Sequence, residues 1–473
     1  MLDALFAPKL DTRGLLDIQG LILRLYRLDY GMFIFLRFDN AEHARHWIAD
    51  FTPRVTNVTD WDRHGTETEF TWNVAFTYPG FQAMGLPDAT LQSFATEFRQ
   101  GMAARAAFLG DTGASAPDQW EAGLGIEHDQ IHAVVILYAK DEAICRREYA
   151  WFCSTQADLY GVTIIHEQDV AMLPTRHEHF GYRDAIGAPA VENSGVVPWP
   201  GQDVVRTGEF ILGYHDEADR MPPMPKPAIL GRHGSYMVMR KLRQDVAAFR
   251  AFLSTQAAAL GMDEELLAAK LMGRWRSGAP LALSPDHDDP ALGADPERNN
   301  DFKYRDADPK GYAVPLSSHI RRGMARDAQP EKIADVQRHR VMRGGIPYGP
   351  PLPEGAPDDG VDRGLIFVFF GASIERQFEF VQTVWMNDGD FMQQGTDRDP
   401  ISGANDGTTN VVIPWRPVRK RIKGVPGFVI TRGGGYFFMP GLTALHWLAN
   451  PTAERSLDAE RALEAQMPAE PVS

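Results

Sequence analysis

A chain of 473 residues that is 44% hydrophobic can bury two or three cores, or one large core carrying insertions. Its formal net charge of −15 argues against general nucleic-acid binding, which needs basic patches. No run of about eighteen apolar residues is present to span a membrane. Cys145 and Cys153 fall in one predicted helix, too far apart along its axis to pair, and MLDALFAPKLDTRG at the start lacks the features of an export signal. A reduced, cytoplasmic setting is therefore the expectation.

The first third alternates strands and helices. GMFIFLRF (31–38) is rich in aromatic and β-branched residues and predicts a strand. AEHARHWIADF follows with helical spacing, and TEFTWNVAFTY alternates as a strand does. LQSFATEFRQGMAARAAF predicts an extra helix. QIHAVVILYA (130–139) reads as a buried strand, residues 141–160 as an amphipathic helix, and VTIIHEQDV (162–170) as a closing strand. Apart from the extra helix, this is the split βαβ plan of a ferredoxin-like unit.

A looser second copy follows. GSYMVMRKL (234–242) predicts a strand and QDVAAFRAFLSTQAAAL a helix. GLIFVFF (364–370) predicts a strand and SIERQFEFVQTVW (373–385) a helix. GFVITRGGGYFFMP reads as a hairpin turning at its three glycines, and LTALHWLA as a short helix. Between the copy's first helix and second strand lies a long insertion, roughly 273–362, whose length marks it as functional or disordered and whose arginine, aromatic and proline content favours an ordered, functional segment. The fold class expected is α+β, with two ferredoxin-like antiparallel units and helices packed around them. Residues 1–190 and 191–460 form the two domains, and 461–473 a C-terminal tail that frays after a helix.

Zinc chemistry finds no support, because CxxC and HExxH are absent and His177 and His179 lack further ligands nearby. HDD (287–289) fits a surface turn better than a cation site. In HFGYRDAIGAP (179–189), Asp184 lies among small residues that let a backbone approach a ligand, but by pattern alone it fits an Asx-type turn better than a site. In HRVMRGGIPYGPP (339–351), Arg343 precedes two glycines and reads as a surface arginine or as part of a site. His319, in GYAVPLSSHIRRGMAR (311–326), is by pattern alone either a structural histidine or a lone axial ligand of the kind haem pockets use.

The blocks GEFILGY, GRWRSGAPL, NNDFKY, PLSSHIRRG, RVMRGGIPYG, RGLIFVFFGASIERQFEFVQ and GGGYFFMPGL, in this order, resemble the dye-decolourising peroxidases of the longer subclass. The resemblance runs from about residue 15 to about 450. It implies haem b held between two ferredoxin-like halves, in the second half of the chain, with His319 as the proximal iron ligand. It implies Asp184 as distal acid–base and Arg343 as distal arginine, with Leu365 and Phe367 facing the peroxide pocket. Arg321 and Arg322 are expected to meet the haem propionates, and Glu375 or Glu379 to accept from the second nitrogen of His319. Hydrogen peroxide and organic reductants are the implied partners, with assembly into homodimers or larger homo-oligomers. The family's glycine after the acid is Ala185 here, which leaves a haem carrier or sensor as the alternative reading. Val314 stands where relatives often have cysteine, and a packing effect only is expected from it.

Overall fold

Alternation along the first strand already divides the molecule into two cores. In β1 (Tyr30–Phe38), Phe33 and Phe35 enter one apolar cluster, while Ile34, Leu36 and Phe38 enter another. The computed structural model describes residues 8–25, 28–60, 68–121, 123–125, 130–157, 160–184, 186–328, 336–390 and 393–451. Within them β1 is joined by β2 (Phe70–Phe76), β3 (Ala133–Ala139), β4 (Val162–Ala171), β5 (Ser235–Gln244), β6 (Met342–Tyr348), β7 (Gly364–Gly371) and β8 (Val429–Met439). They form one eight-stranded sheet in the order β4-β1-β3-β2-β8-β5-β7-β6, and every pairing is antiparallel.

Each half has the same spatial order: fourth, first, third, second. The second strand of the first repeat meets the fourth of the second at Phe76 and Phe438. The outer strands β4 and β6 also approach each other, so the sheet curls into a barrel. Phe35, Ile136, Met237, Val368 and Phe437 are among the side chains that fill its interior. Burying each such side chain is worth about 1.5–3 kcal/mol.

The outer face of the first half is covered by α1 (Ala41–Phe51) and α2 (Glu142–Phe152). Asn40 and Asp141 cap them by accepting from the N–H groups of His43 and Ile144. Trp47 stacks on Phe51, and Trp72 on Phe152, which seals this layer. The second half carries α3 (Val246–Leu260), the short α4 (His319–Gly323) and α5 (Leu442–Ala449).

Four elements differ from expectation. The long insertion contains β6, the second strand of the second repeat, whose Met342, Ile346 and Tyr348 point into the barrel. Gly344, Gly345 and Pro347 are poor strand formers, so pairing with β7 rather than propensity makes this strand. GFVITRGGGYFFMP is one continuous strand with a bulge between Thr431 and Gly433, not a hairpin. There the glycines serve close packing: a Cβ on Gly434 would lie 2.6 Å from the Met239 carbonyl oxygen. The helix expected over LQSFATEFRQGMAARAAF is broken into short turns, one ending at Gly101 with φ +78°. The helix predicted over 373–385 is wound as two wide π turns, Ile374–Glu379 and Val381–Met386. Both cysteines are free. The C-terminal tail and Ala185 lie outside the described residues.

Asp17 ties the chain's beginning to its end. Its carboxylate accepts from the N–H of Thr443 at 2.6 Å, at the start of α5, and from His233 Nδ1 at 2.7 Å, just before β5. Burial pushes the Asp17 carboxyl up, but the hydrogen bond and charge of His233, with the bonds from Thr443, bring it below its ordinary value. A carboxyl lowered on folding adds stability above the unfolded value of about 3.9, and that stability is lost as pH falls through the folded value. Asp17→Asn should therefore lower unfolding free energy by about 1.5–3 kcal/mol at pH 7. The gap to wild type should close as pH falls below about 4. Urea titrations across that range check this; a gap independent of pH would contradict it.

Candidate active site

Where α1 and α2 cover the first half, the outer face of the second half borders a cavity of about 830 Å³ instead. That lies within the roughly 300–1,000 Å³ usual for ligand and cofactor sites. Leu365, Phe367 and Phe369 line it from the outward face of β7, since alternate residues of a strand share a face. His319, Asp184 and Arg343 line the same cavity, from α4, from the loop after β4 and from β6.

His319 opens α4. Its Nδ1 donates to Asp399 Oδ2 at 2.9 Å, and Asp399 is fully buried. The other oxygen of Asp399 accepts from the N–H groups of Ile401 and Ser402 at 2.8 and 2.7 Å. Burial raises this carboxyl, but the charge and hydrogen bond of His319 and the two backbone donors hold it below its ordinary value. When the ring is neutral, an ionised acceptor keeps its proton on Nδ1, which leaves the lone pair on Nε2. Asp399 replaces the expected Glu375 or Glu379. Glu375 is exposed, and Glu379 is buried against Arg105 and Tyr436. Asp399 lies eighty residues from His319, and nothing local in DRDPISG marks it.

Arg321 and Arg322 also depart from expectation, because neither lines the cavity. At about 100° per residue Arg321 leaves α4 on the side away from His319, while Arg322, three residues on, shares the His319 side but is drawn into the segment after Trp385. Arg321 is buried against the carboxylate and carbonyl of Asp308 and the carbonyl of Val314. Arg322 donates to the carbonyls of Trp385 and Asp397, at 2.6 and 3.1 Å, and of Asp388. Both brace the segment that presents His319. Val314 is fully buried in an apolar cluster with Trp275 and Phe302.

The cations that do line the cavity include Arg274 and Arg326. Arg274 donates to the carbonyls of Gly278 and Asn299 and to Asn300 Oδ1. Burial pushes it down to about 9. Arg326 donates to the carbonyls of Asn300 and Phe302 and shares Asn300 Oδ1. Both hold neutral oxygens through these bonds, which leaves their charge for an anion in the cavity. NNDFKY supplies Asn299 and Asn300, and is the sequence signal for this corner.

Glu178 builds the loop that carries Asp184. Its carboxylate accepts from the N–H groups of Phe180 and Tyr182 at 2.9 and 2.8 Å. The turn requires φ +93° at Gly181. Burial pushes the Glu178 carboxyl up despite these bonds, and the neighbouring Asp184 adds to the rise. Past the turn, Asp184 Oδ1 accepts from Arg343 NH1 at 3.0 Å. Gly345 makes room for this pair: a Cβ there would stand 2.7 Å from Asp184 Oδ2 and 2.6 Å from Leu365 Cδ2. Sequence reasoning missed Glu178 and the role of Gly345, although the paired glycines after Arg343 were visible.

An α+β barrel of two repeats, with an imidazole, an acid–arginine pair and spare cations around one large cavity, describes a cofactor-binding enzyme. The donors fit a haem: one nitrogen with its lone pair free for iron, apolar walls for a macrocycle, and arginines for its carboxylates. Residues 17–166 match the family model described as the DyP dimeric alpha+beta barrel domain, and 227–404 the one described as Dyp-type peroxidase, C-terminal. The dye-decolorizing peroxidase of Exidia glandulosa is 32% identical over 459 residues, covering 91% of this chain and 86% of that protein. The multifunctional dye peroxidase DyP2 of Amycolatopsis sp. is 28% identical, over 91% of this chain and 95% of that one. A fungal DyP-type peroxidase structure from Auricularia auricula-judae superposes with TM-score 0.80 at 29% identity, covering 94% of this chain and 100% of that chain. A dye-decolorizing peroxidase in complex with 2,6-dimethoxyphenol also gives TM-score 0.80 at 29% identity, with 92% and 99% covered. The chain belongs to the dye-decolorizing peroxidases, a family of haem enzymes.

The space at Gly345 can be tested directly. Gly345→Ala should displace Asp184 and Leu365, slowing reaction with peroxide by about tenfold or more, because misplacing a catalytic group by about 1 Å costs up to 100-fold. Haem content should stay normal. Stopped-flow absorbance and a haem assay measure the two, and an unchanged rate would remove Gly345 from the site.

Proposed function

We propose that this protein binds haem b through His319, reduces hydrogen peroxide, and oxidises dyes or phenolics by one-electron steps. The observation that carries this is the convergence of two polar pairs, His319–Asp399 and Asp184–Arg343, on one apolar-walled cavity. The names of the relatives support the substrate class.

When bound, haem iron supplies the centre at which the peroxide O–O bond breaks and oxidising equivalents are stored. The residues supply the rest. Asp184 takes a proton from one peroxide oxygen and returns it to the other, which then leaves as water. Arg343, always cationic, steadies the negative charge that develops on the departing oxygen. Asp399 holds the His319 proton on Nδ1 and keeps the ring oriented, so that Nε2 would hold the haem iron. Leu365 and Phe367 wall the pocket and keep bulky reductants away from the acid. Arg274 and Arg326, rather than Arg321 and Arg322, would hold the propionates of the bound group.

The two repeats, residues 1–190 and 191–460, act as domains flanking this cavity. The two free thiols support a cytoplasmic setting. Among the described residues, no helix is long and apolar enough to cross a membrane. Exposed Val197, Trp199 and Val204 offer an apolar patch for assembly into a homodimer or larger homo-oligomer. The acid–arginine pair favours catalysis over a carrier or sensor role, which would need no proton transfer.

His319→Ala should abolish stable haem binding, read as loss of the Soret band; a normal Soret band would rule out His319 as ligand. Asp184→Asn and Arg343→Leu should keep the Soret band but slow the peroxide reaction by about 100- to 1,000-fold each in stopped flow. Asp399→Asn should weaken haem affinity or activity by about 10- to 100-fold. Rates equal to wild type would strip the corresponding residue of its role.

A further inference from the structure

The cavity reaches beyond the residues that the peroxide chemistry uses. Another corner of it is built from residues 109–115, 402–407 and the start of β8. Asn387 ties the first two segments together: its Nδ2 donates to the Leu109 carbonyl and its Oδ1 accepts from the Ala404 N–H, both at 2.8 Å. Ser115 Oγ accepts from the Thr431 N–H at 3.1 Å, which ties the first segment to β8. Asn405 Nδ2 donates to the Asp399 carbonyl at 2.7 Å, so the corner is joined to the residue that orients His319. Thr112, Ala114 and Asp406 line the cavity and are exposed, so the corner opens to solvent.

Asp111 lines this corner and is only 7% exposed. Its Oδ1 accepts from Thr431 Oγ1 at 2.9 Å and from Arg240, which balances its charge. Its Oδ2 is buried and has no hydrogen-bond partner among the described residues. Arg240 Nε, from the outward face of β5, is in the same condition. A pair that served packing alone would lose stability by leaving a charged oxygen without a donor. The missing partner of Asp111 is a donor, and that of Arg240 an acceptor; a hydroxyl group is both. Because the pair is already neutral, it favours an uncharged ligand over an ion. Leu109, Val429 and Ile430 in the same corner offer apolar contact to a ring.

Resting on the peroxidase reading, we propose that this corner is a binding site for small neutral phenols, with Asp111 as the base that takes the phenolic proton. The haem, once oxidised by peroxide, takes one electron from the bound phenol, and the O–H proton passes to Asp111 Oδ2. The product is a neutral phenoxyl radical, which leaves through the mouth, and Asp111 then gives the proton to water. A second phenol repeats the step. The two electrons and two protons together balance the reduction of one hydrogen peroxide to two waters.

The test uses the haem-loaded enzyme with 2,6-dimethoxyphenol as the probe. Asp111→Asn removes the base and turns the free acceptor into a donor. Ala114→Trp narrows the mouth and leaves the Asp111–Arg240 pair untouched. Soret absorbance and the unfolding midpoint verify that each variant is folded and loaded, and the peroxide step is timed without phenol so that phenol rates are compared at equal haem oxidation. Both variants should raise KM for the phenol by about tenfold or more, and Asp111→Asn should in addition lower kcat by about tenfold or more. A KM equal to wild type in either folded, loaded variant overturns the proposal, and so does an unchanged kcat in Asp111→Asn. If wild type leaves the phenol untouched while peroxide still shifts the haem spectrum and a dye is still bleached, the phenol site falls and the peroxidase reading stands. A haem spectrum unmoved by peroxide sinks both.

Discussion

The ion pair between Asp184 and Arg343 joins the two repeats at the wall of the cavity. Its partners are 159 residues apart in sequence, one on the loop that leaves the first repeat and one on the edge strand of the second. Neither repeat contains both. The continuous sheet sets the distance between them, and two local devices trim it: the Glu178-braced turn on one side and the missing side chain at Gly345 on the other. A partly buried arginine–carboxylate contact at 3.0 Å is stronger than a surface pair and directional, so small shifts in either device reach the Asp184 carboxylate.

Three carboxylates buried around the cavity show how environment sorts one functional group into different tasks. Asp399 has a histidine and two backbone donors, and these outweigh burial, so it stays charged and orients His319. Glu178 has only neutral donors and an acidic neighbour, so burial prevails and its carboxyl is raised. A more neutral Glu178 puts less negative charge beside the Asp184–Arg343 pair while still bracing its turn. Glu379 faces a guanidinium on one side and a phenol on the other. Each solution follows from which donors reach the oxygens, and none follows from residue type.

The sequence carried the fold best where apolar runs were dense. β1, β3 and β7 are largely apolar on both faces, and β5 over its first half, so their runs are unmistakable, and their order discloses the two repeats. β6 was hidden because its outward face holds arginine and glycine for the site, which erases the strand pattern. The three glycines of β8 looked like a turn because glycine serves tight turns and tight packing alike. At the site, His319, Asp184, Arg343, Leu365 and Phe367 were named through resemblance, and the structure gathers all five around one cavity. The neighbours that hold them were not legible. Asp399 reaches His319 only through tertiary folding, and Arg321 and Arg322 looked like anion binders although both are held by protein carbonyls.

Comparison of the two repeats explains why the cavity lies where it does. β3 and β7 are both the third strand of their unit. The outward residues of β3, Ala133, Val135 and Leu137, are covered by helices in a filled aromatic layer. The outward residues of β7, Leu365, Phe367 and Phe369, face the cavity, with α4 and Asp399 from the long connections on its far side. The second repeat thus has a cavity where the first has a packed layer. A group seated there contacts side chains that converge only in the folded chain, so its binding energy adds to folding by mass action. Arg321 and Arg322, each held by buried carbonyls, fix α4 and with it the place of His319 on the cavity. The arginines that looked like ligand contacts are anchors of the segment that lines the cavity.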